Sequence, residues 1–223
     1  MPSLEDFQTL VETNPEKAFT DYVLAIDEVS FDWKDAAAGV RADAGIRHIE
    51  WRFEEPNTIK MYPSQNVANS EGKQIYYLPW KSKEVTKVTL DQNSPPYFLT
   101  SEFSNCRFTI QFHDACGKTV TVMHIAGDVA GGGSISGGNK RNEMEISSGL
   151  VPNLRTRRLS ISKGKPGSKG PAWKRYTESA ANTVYYDSQA VVFGFREKNG
   201  CWSFYAQNID NIKNGKGLIN LSS

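Results

Sequence analysis

Two of the three cysteines and two of the three histidines fall in one stretch, TSEFSNCRFTIQFHDACGKTVTVMHIAGD, from Thr100 to Asp128. A thiol and an imidazole that share a proton make a nucleophile and its base. Four Cys and His side chains converging on one point make a zinc site instead. Which of these Cys106, His113, Cys116 and His124 can form depends on where the backbone places them.

Between Cys106 and Phe112 the apolar residues fall at every second position, with Arg107, Thr109 and Gln111 between them, the period of a half-buried strand. Lys118 to Ile125 reads as a second strand, and HDACG between them has turn composition. A hairpin centred on Ala115 pairs Phe108 with Val122, Ile110 with Val120 and Cys106 with His124, so that apolar faces coincide. Directly opposed residues have Cβ atoms about 5 Å apart, within reach of a shared proton. The same geometry argues against zinc, because seven strand residues put His113 and Cys116 some 20 Å from the other pair. Those two belong to the turn, and Cys201, beside Trp202, reads as a buried thiol. Unpaired cysteine is also a common core residue, so the residues alone leave Cys106 and His124 open between a dyad and plain packing.

The rest of the chain must supply the scaffold. With 223 residues and 39% hydrophobic content it can bury a substantial core, and one domain over residues 1–223 is the expectation. Ser3 and Asn14-Pro15-Glu16 are helix-start signals, predicting two short helices before about Ala25. The runs VLAIDEVSFDW, IRHIEWRF, TIKMY, QIYYLPW and VTKVTL alternate with loop residues and read as strands. Two apolar strands flank Lys198-Asn199-Gly200 in AVVFGFREKNGCWSFYAQNI, a hairpin marked by its Asn-Gly turn signal. The expected class is α+β, with a β-rich body and few helices.

Two segments break this pattern. GDVAGGGSISGGNKRNEMEISSG, after the histidine-bearing strand, reads as a flexible loop, on the surface or as a lid over a site. It lacks the Gly-Lys-Ser/Thr ending of a phosphate-binding loop. SKGKPGSKGPAWKR, from Ser162 to Arg175, reads as a solvated basic loop, with phosphate or acid binding as the alternative. Lys and Arg number 26 against 25 Asp and Glu, so no overall field draws in nucleic acid or anionic membrane. No run approaches the roughly 20 apolar residues of a membrane span, and MPSLEDFQTLVETNPEK has no signal-peptide pattern. The odd cysteine number and scattered spacing favour reduced thiols.

Phe103-Ser104-Asn105-Cys106, followed by strand, turn and a strand ending in His124, resembles the Leu-Ser-Gly-Cys box and downstream histidine of the toxin glutamine deamidases. That family includes the catalytic domain of cytotoxic necrotizing factor and Burkholderia lethal factor. Asn105 takes the place of the glycine. In the lethal-factor branch a threonine six positions before the cysteine is also catalytic, and Thr100 stands at that spacing. The resemblance implies a β-sandwich-like core of mixed or antiparallel sheets with flanking helices. It also implies a nucleophile at Cys106, a base at His124, an orienting hydroxyl at Thr100, and no metal or organic cofactor.

On that reading the thiolate attacks a glutamine side-chain amide, ammonia leaves, and water hydrolyses the thioester to glutamate. A backbone N–H near Ser104 or Asn105 would hold the oxyanion. The implied partner is a folded target protein, met by a monomeric toxin or effector delivered into a host cell without a signal peptide. A cytoplasmic protein is the other expectation. A cysteine protease or transglutaminase would use the same dyad, and a non-catalytic β-sandwich that binds protein or glycan is the alternative from another class.

Overall fold

The structure, a computed structural model, describes residues 2–27, 31–35, 37, 40–54, 56–64, 73–102, 106–128, 134–149, 158–163, 183–186, 190–208 and 218–221. Two helices open the chain. Helix α1 (Leu4–Thr13) starts where Ser3 Oγ accepts from the Asp6 N–H, and α2 (Pro15–Asp21) starts where Asn14 Oδ1 accepts from the Lys17 N–H. Both side chains satisfy amides that have no partner within their helix.

Among the described residues, eight strands then form one mixed sheet. In spatial order they are β1 (Val23–Ile26), β5 (Thr58–Pro63), β4 (Gly45–Glu54), β6 (Gln74–Leu78), β8 (Tyr97–Thr100), β13 (Ala190–Arg196), β14 (Trp202–Asn208) and β15 (Leu218–Asn220). A second sheet of five runs β12 (Thr183–Tyr186), β11 (Arg158–Lys163), β9 (Arg107–Phe112), β10 (Val120–Ile125) and β7 (Val85–Leu90). A small ribbon pairs β2 (Trp33–Asp35) with β3 (Val40–Arg41). The chain is therefore α+β with a β-sandwich-like body and few helices among the described residues: the strand-period runs implied the β-rich class, and the resemblance implied the sandwich.

Strand period decides what lies between the layers. In the eight-stranded sheet Ile75, Tyr77, Leu99, Val191, Phe193 and Tyr205 face α1 and α2, where they meet Phe7, Phe19 and Tyr22. Their neighbours Leu78, Phe98, Val192, Phe204 and Ala206 face the other way, onto Phe108, Ile110, Phe112, Val120 and Val122 of the second sheet. Beyond that sheet lies α3 (Ser134–Ser147), whose Met144 packs on Met123 and Ile125. The order is helices, sheet, sheet, helix. Gln207 fastens the first two layers: its buried amide donates to the Phe19 and Tyr22 carbonyls and accepts from the Leu24 N–H. That single side chain spans the end of α2 and the start of β1.

Two expectations change. The segment after Asp128 holds helix α3 where a flexible loop was expected. Its second half, KRNEMEIS, is made of good helix formers, and Met144 and Glu145 give it a face to bury. The hairpin of β13 and β14 turns through Lys198-Asn199-Gly200, the three residues that its sequence marked. Glu197 N–H donates to Cys201 O, and Gly200 takes a φ of 88°. Cys201 itself is only partly buried. Most of the basic segment from Ser162 to Arg175 lies outside the described residues.

Candidate functional site

Cys106 and His124 are not directly opposed. The ladder between β9 and β10 pairs Phe108 with His124, Ile110 with Val122 and Phe112 with Val120, so each partner is two positions from the expected one. The turn explains this. The Asp114 carboxylate accepts N–H bonds from Cys116, Lys118 and Thr119, and Gly117 takes a φ of 74°. These contacts centre the turn on Cys116 instead of Ala115. A Cβ at Gly117 would also stand 2.9 Å from the Phe112 ring, so this turn needs glycine.

Because the displacement moves each pairing by two positions, faces are preserved. His124 still shares the inward face with Phe108, and Cys106, two residues before Phe108, is on that face too. The pair is diagonal. Diagonal neighbours have Cβ atoms up to about 7–8 Å apart, which a side chain as long as imidazole spans.

Other bonds bring Thr100 to the same end of the inter-sheet layer. Thr86 of β7 pairs with His124, and its hydroxyl donates across to the Pro79 carbonyl at 2.6 Å. On the facing sheet Leu78 pairs with Thr100, the Ser101 N–H donates to Leu78 O, and the Trp80 N–H donates to Ser101 Oγ. Thr86, Thr100, Ser101, Cys106 and His124 thus form a buried polar end to an otherwise apolar layer. His113 and Cys116 sit at the other end of the hairpin, on its turn. Phe103, Ser104 and Asn105 lie outside the described residues.

The cluster is enclosed. Cys106 is 5% exposed, His124 1% and Thr100 0%. The Thr100 hydroxyl accepts from the Val192 N–H at 3.1 Å, so its oxygen already serves the sheet, where the resemblance implied a role beside the thiol. Its proton can still be donated. Burial pushes the His124 imidazole down to about 3. Near neutral pH it is in its basic, uncharged form and can accept the thiol proton as attack proceeds. A standing thiolate–imidazolium pair, the state implied by the resemblance, is disfavoured in these surroundings.

That burial has a measurable consequence for stability. The ordinary histidine value of 6.5 applies to the unfolded chain, so on acidification the unfolded state takes up a proton that the folded state refuses. The stability held above pH 6.5 is lost progressively as pH falls toward the folded value, by about 2 kcal/mol at pH 5. Among the described residues, the carboxylates with a resolved shift, Asp91, Asp114 and Asp128, are held below 3.8 and act at lower pH. Urea unfolding at pH 7 and pH 5 should show this loss in the native chain and most of it absent in His124→Phe. An equal loss in both would assign the slope elsewhere.

Sequence reasoning missed the buried pair formed by Arg107 and Glu145, immediately beside Cys106. The Arg107 guanidinium donates to Glu145 Oε2 at 2.8 Å, and Thr109 Oγ1 donates to Glu145 Oε1. These bonds join α3 to the outer face of β9. The alternation of Arg107 and Thr109 with apolar residues did signal a second face, but not that a glutamate far along the chain would cover it. Compared with models of known protein families the chain matches none, and none of the curated proteins matches it.

Proposed function

We propose that this chain is a cysteine-dependent hydrolase that converts a glutamine side chain of a folded target protein to glutamate, acting as a toxin or effector inside a host cell. Cys106 is the nucleophile, His124 the base and Thr100 an orienting hydroxyl. The observation that carries this reading is the common placement of those three side chains at one polar end of the inter-sheet layer. The steps balance without a cofactor. The thiol adds to the amide carbon as its proton passes to His124, ammonia departs with that proton, and water cleaves the thioester. Ser104 and Asn105, adjoining Cys106 in sequence, are the proposed source of the oxyanion donor.

A second reading, a non-catalytic β-sandwich that binds protein or glycan, draws support from the burial of Cys106 and from the neutral His124. Peptide mass spectrometry on a eukaryotic lysate incubated with the protein separates the two. Deamidation is expected to replace NH₂ by OH at a glutamine of a small number of folded proteins. Cleaved peptides would identify a protease and crosslinked peptides a transglutaminase. A lysate left unchanged would favour the binding module.

A further inference from the structure

The two cysteines that the dyad does not use come from turns far apart in sequence, yet these turns meet. Cys116 lies in the turn between β9 and β10, and Cys201 in the turn between β13 and β14. The residues that follow them are joined by a backbone bond, Trp202 N–H to Gly117 O at 2.8 Å. Each turn is also fixed by a side chain that takes the N–H of its cysteine. Asp114 Oδ1 accepts from Cys116 N–H at 3.1 Å, and Asn199 Oδ1 accepts from Cys201 N–H at 2.8 Å. The Cys116 thiol donates to Asp114 Oδ1 at 3.4 Å, and it is near enough to Cys201 to act on that thiol's titration. Burial, then the adjacent Cys116 thiol and Glu197, hold the Cys201 thiol above its usual value, against the opposing charge of Lys118. Both are free thiols, Cys116 exposed and Cys201 partly so.

Metal binding is a poor use for this pair, since among the described residues no group of three or more His, Cys, Asp and Glu side chains could hold an ion. Disulfide chemistry needs only two sulfurs, held close and accessible to a small reagent.

We propose that Cys116 and Cys201 form a redox-active pair that closes, on meeting a low-molecular-weight disulfide, into a bridge between the two sheets. Cys116, the more exposed, attacks first as thiolate. It forms a bond to one sulfur of oxidised glutathione and releases the other half as a thiol. Cys201 then loses its proton to water, attacks Cys116 Sγ and expels the second glutathione. The protein gives up two electrons and two protons, and the glutathione disulfide is reduced to two thiols.

The bridge lies at the end of the inter-sheet layer opposite Cys106 and is independent of the chemistry proposed there. It closes a loop of about 85 residues that includes β10 and α3, so its effect on the unfolded chain is large. Oxidation would thus fasten the second sheet to the first, and a reducing compartment would release it.

The test uses the full chain, treated with oxidised glutathione, quenched with acid and digested without reductant. A Cys116–Cys201 linked peptide is expected, with the loss of two hydrogens from the intact mass. The thermal midpoint should rise by roughly 5–10 °C, reversibly with dithiothreitol, and no rise should occur in Cys201→Ser. Single glutathione adducts on Cys116 and Cys201, or a bridge from either to Cys106, without the linked peptide, would overturn the proposal.

Discussion

Cys106→Ser should leave the chain folded and lower glutamine conversion by on the order of 10³-fold or more. The size of the effect follows from the base. With His124 held near 3, the imidazole is a weak proton acceptor, and it can assist a thiol far more readily than a serine hydroxyl, whose proton is much harder to remove. The substitution has a structural cost as well, because Cys106 touches the apolar layer around Phe108 and Leu78. A hydroxyl there costs about 1–2 kcal/mol, which a domain of ordinary stability tolerates. Cys106→Ala supplies the control, since it removes the nucleophile without adding a polar atom. Conversion of target glutamines is measured by peptide mass, and folding by circular dichroism and urea midpoint. Equal activity in the native chain and both variants would remove Cys106 from the mechanism.

How much of this arrangement was legible in advance depends on how local its causes are. The strands β4, β5, β6, β7, β13 and β14 were visible because alternation and β-branched or aromatic residues are written in consecutive positions. The helix starts at Ser3 and Asn14 were visible for the same reason, a cap and the amide it satisfies being three residues apart. The hairpin register was less accessible. It turns on how many N–H groups the Asp114 side chain gathers, a matter of turn geometry that composition does not reveal. The error was nonetheless harmless to face assignment. A displacement of paired positions by an odd number would have turned His124 away from Cys106, whereas the even one left both inward.

Long-range partners were the least legible. Nothing near Cys116 names Cys201, and nothing near Arg107 names Glu145; both contacts depend on how the layers stack. Helix α3 was obscured for a related reason. Its first half is rich in Gly and Ser, and what holds its second half is burial against Met123 and Ile125. Thr100 illustrates the reverse case, a residue whose position was expected but whose hydroxyl has a task in the sheet that no spacing rule discloses.

Glu145→Ala should destabilise the protein by about 3–5 kcal/mol, the largest stability loss expected of a single polar side chain here. The pair it breaks is almost wholly enclosed, with side chains 2% and 1% exposed. Truncation takes away the carboxylate that accepts from the Arg107 guanidinium and from Thr109 Oγ1, and it leaves a cation in a layer water does not reach. Glu145→Gln keeps an acceptor oxygen and should cost less than Glu145→Ala. Removing both charges is the decisive variant. In Arg107→Met with Glu145→Leu the layer between β9 and α3 becomes apolar, and most of the lost stability should return, because the desolvation cost of the ions disappears with them. Urea midpoints of the native chain, Arg107→Met, Glu145→Leu and the double variant form a double-mutant cycle, and a double variant no more stable than Glu145→Leu would show that the ions themselves hold the helix. The same series bears on the candidate site. Arg107 adjoins Cys106 on β9, and α3 follows the strand that carries His124, so loosening the helix in Glu145→Ala should lower conversion at pH 7 beyond the fraction unfolded. Recovery of both stability and conversion in the apolar double variant would assign to Arg107 and Glu145 a positioning role exerted through packing.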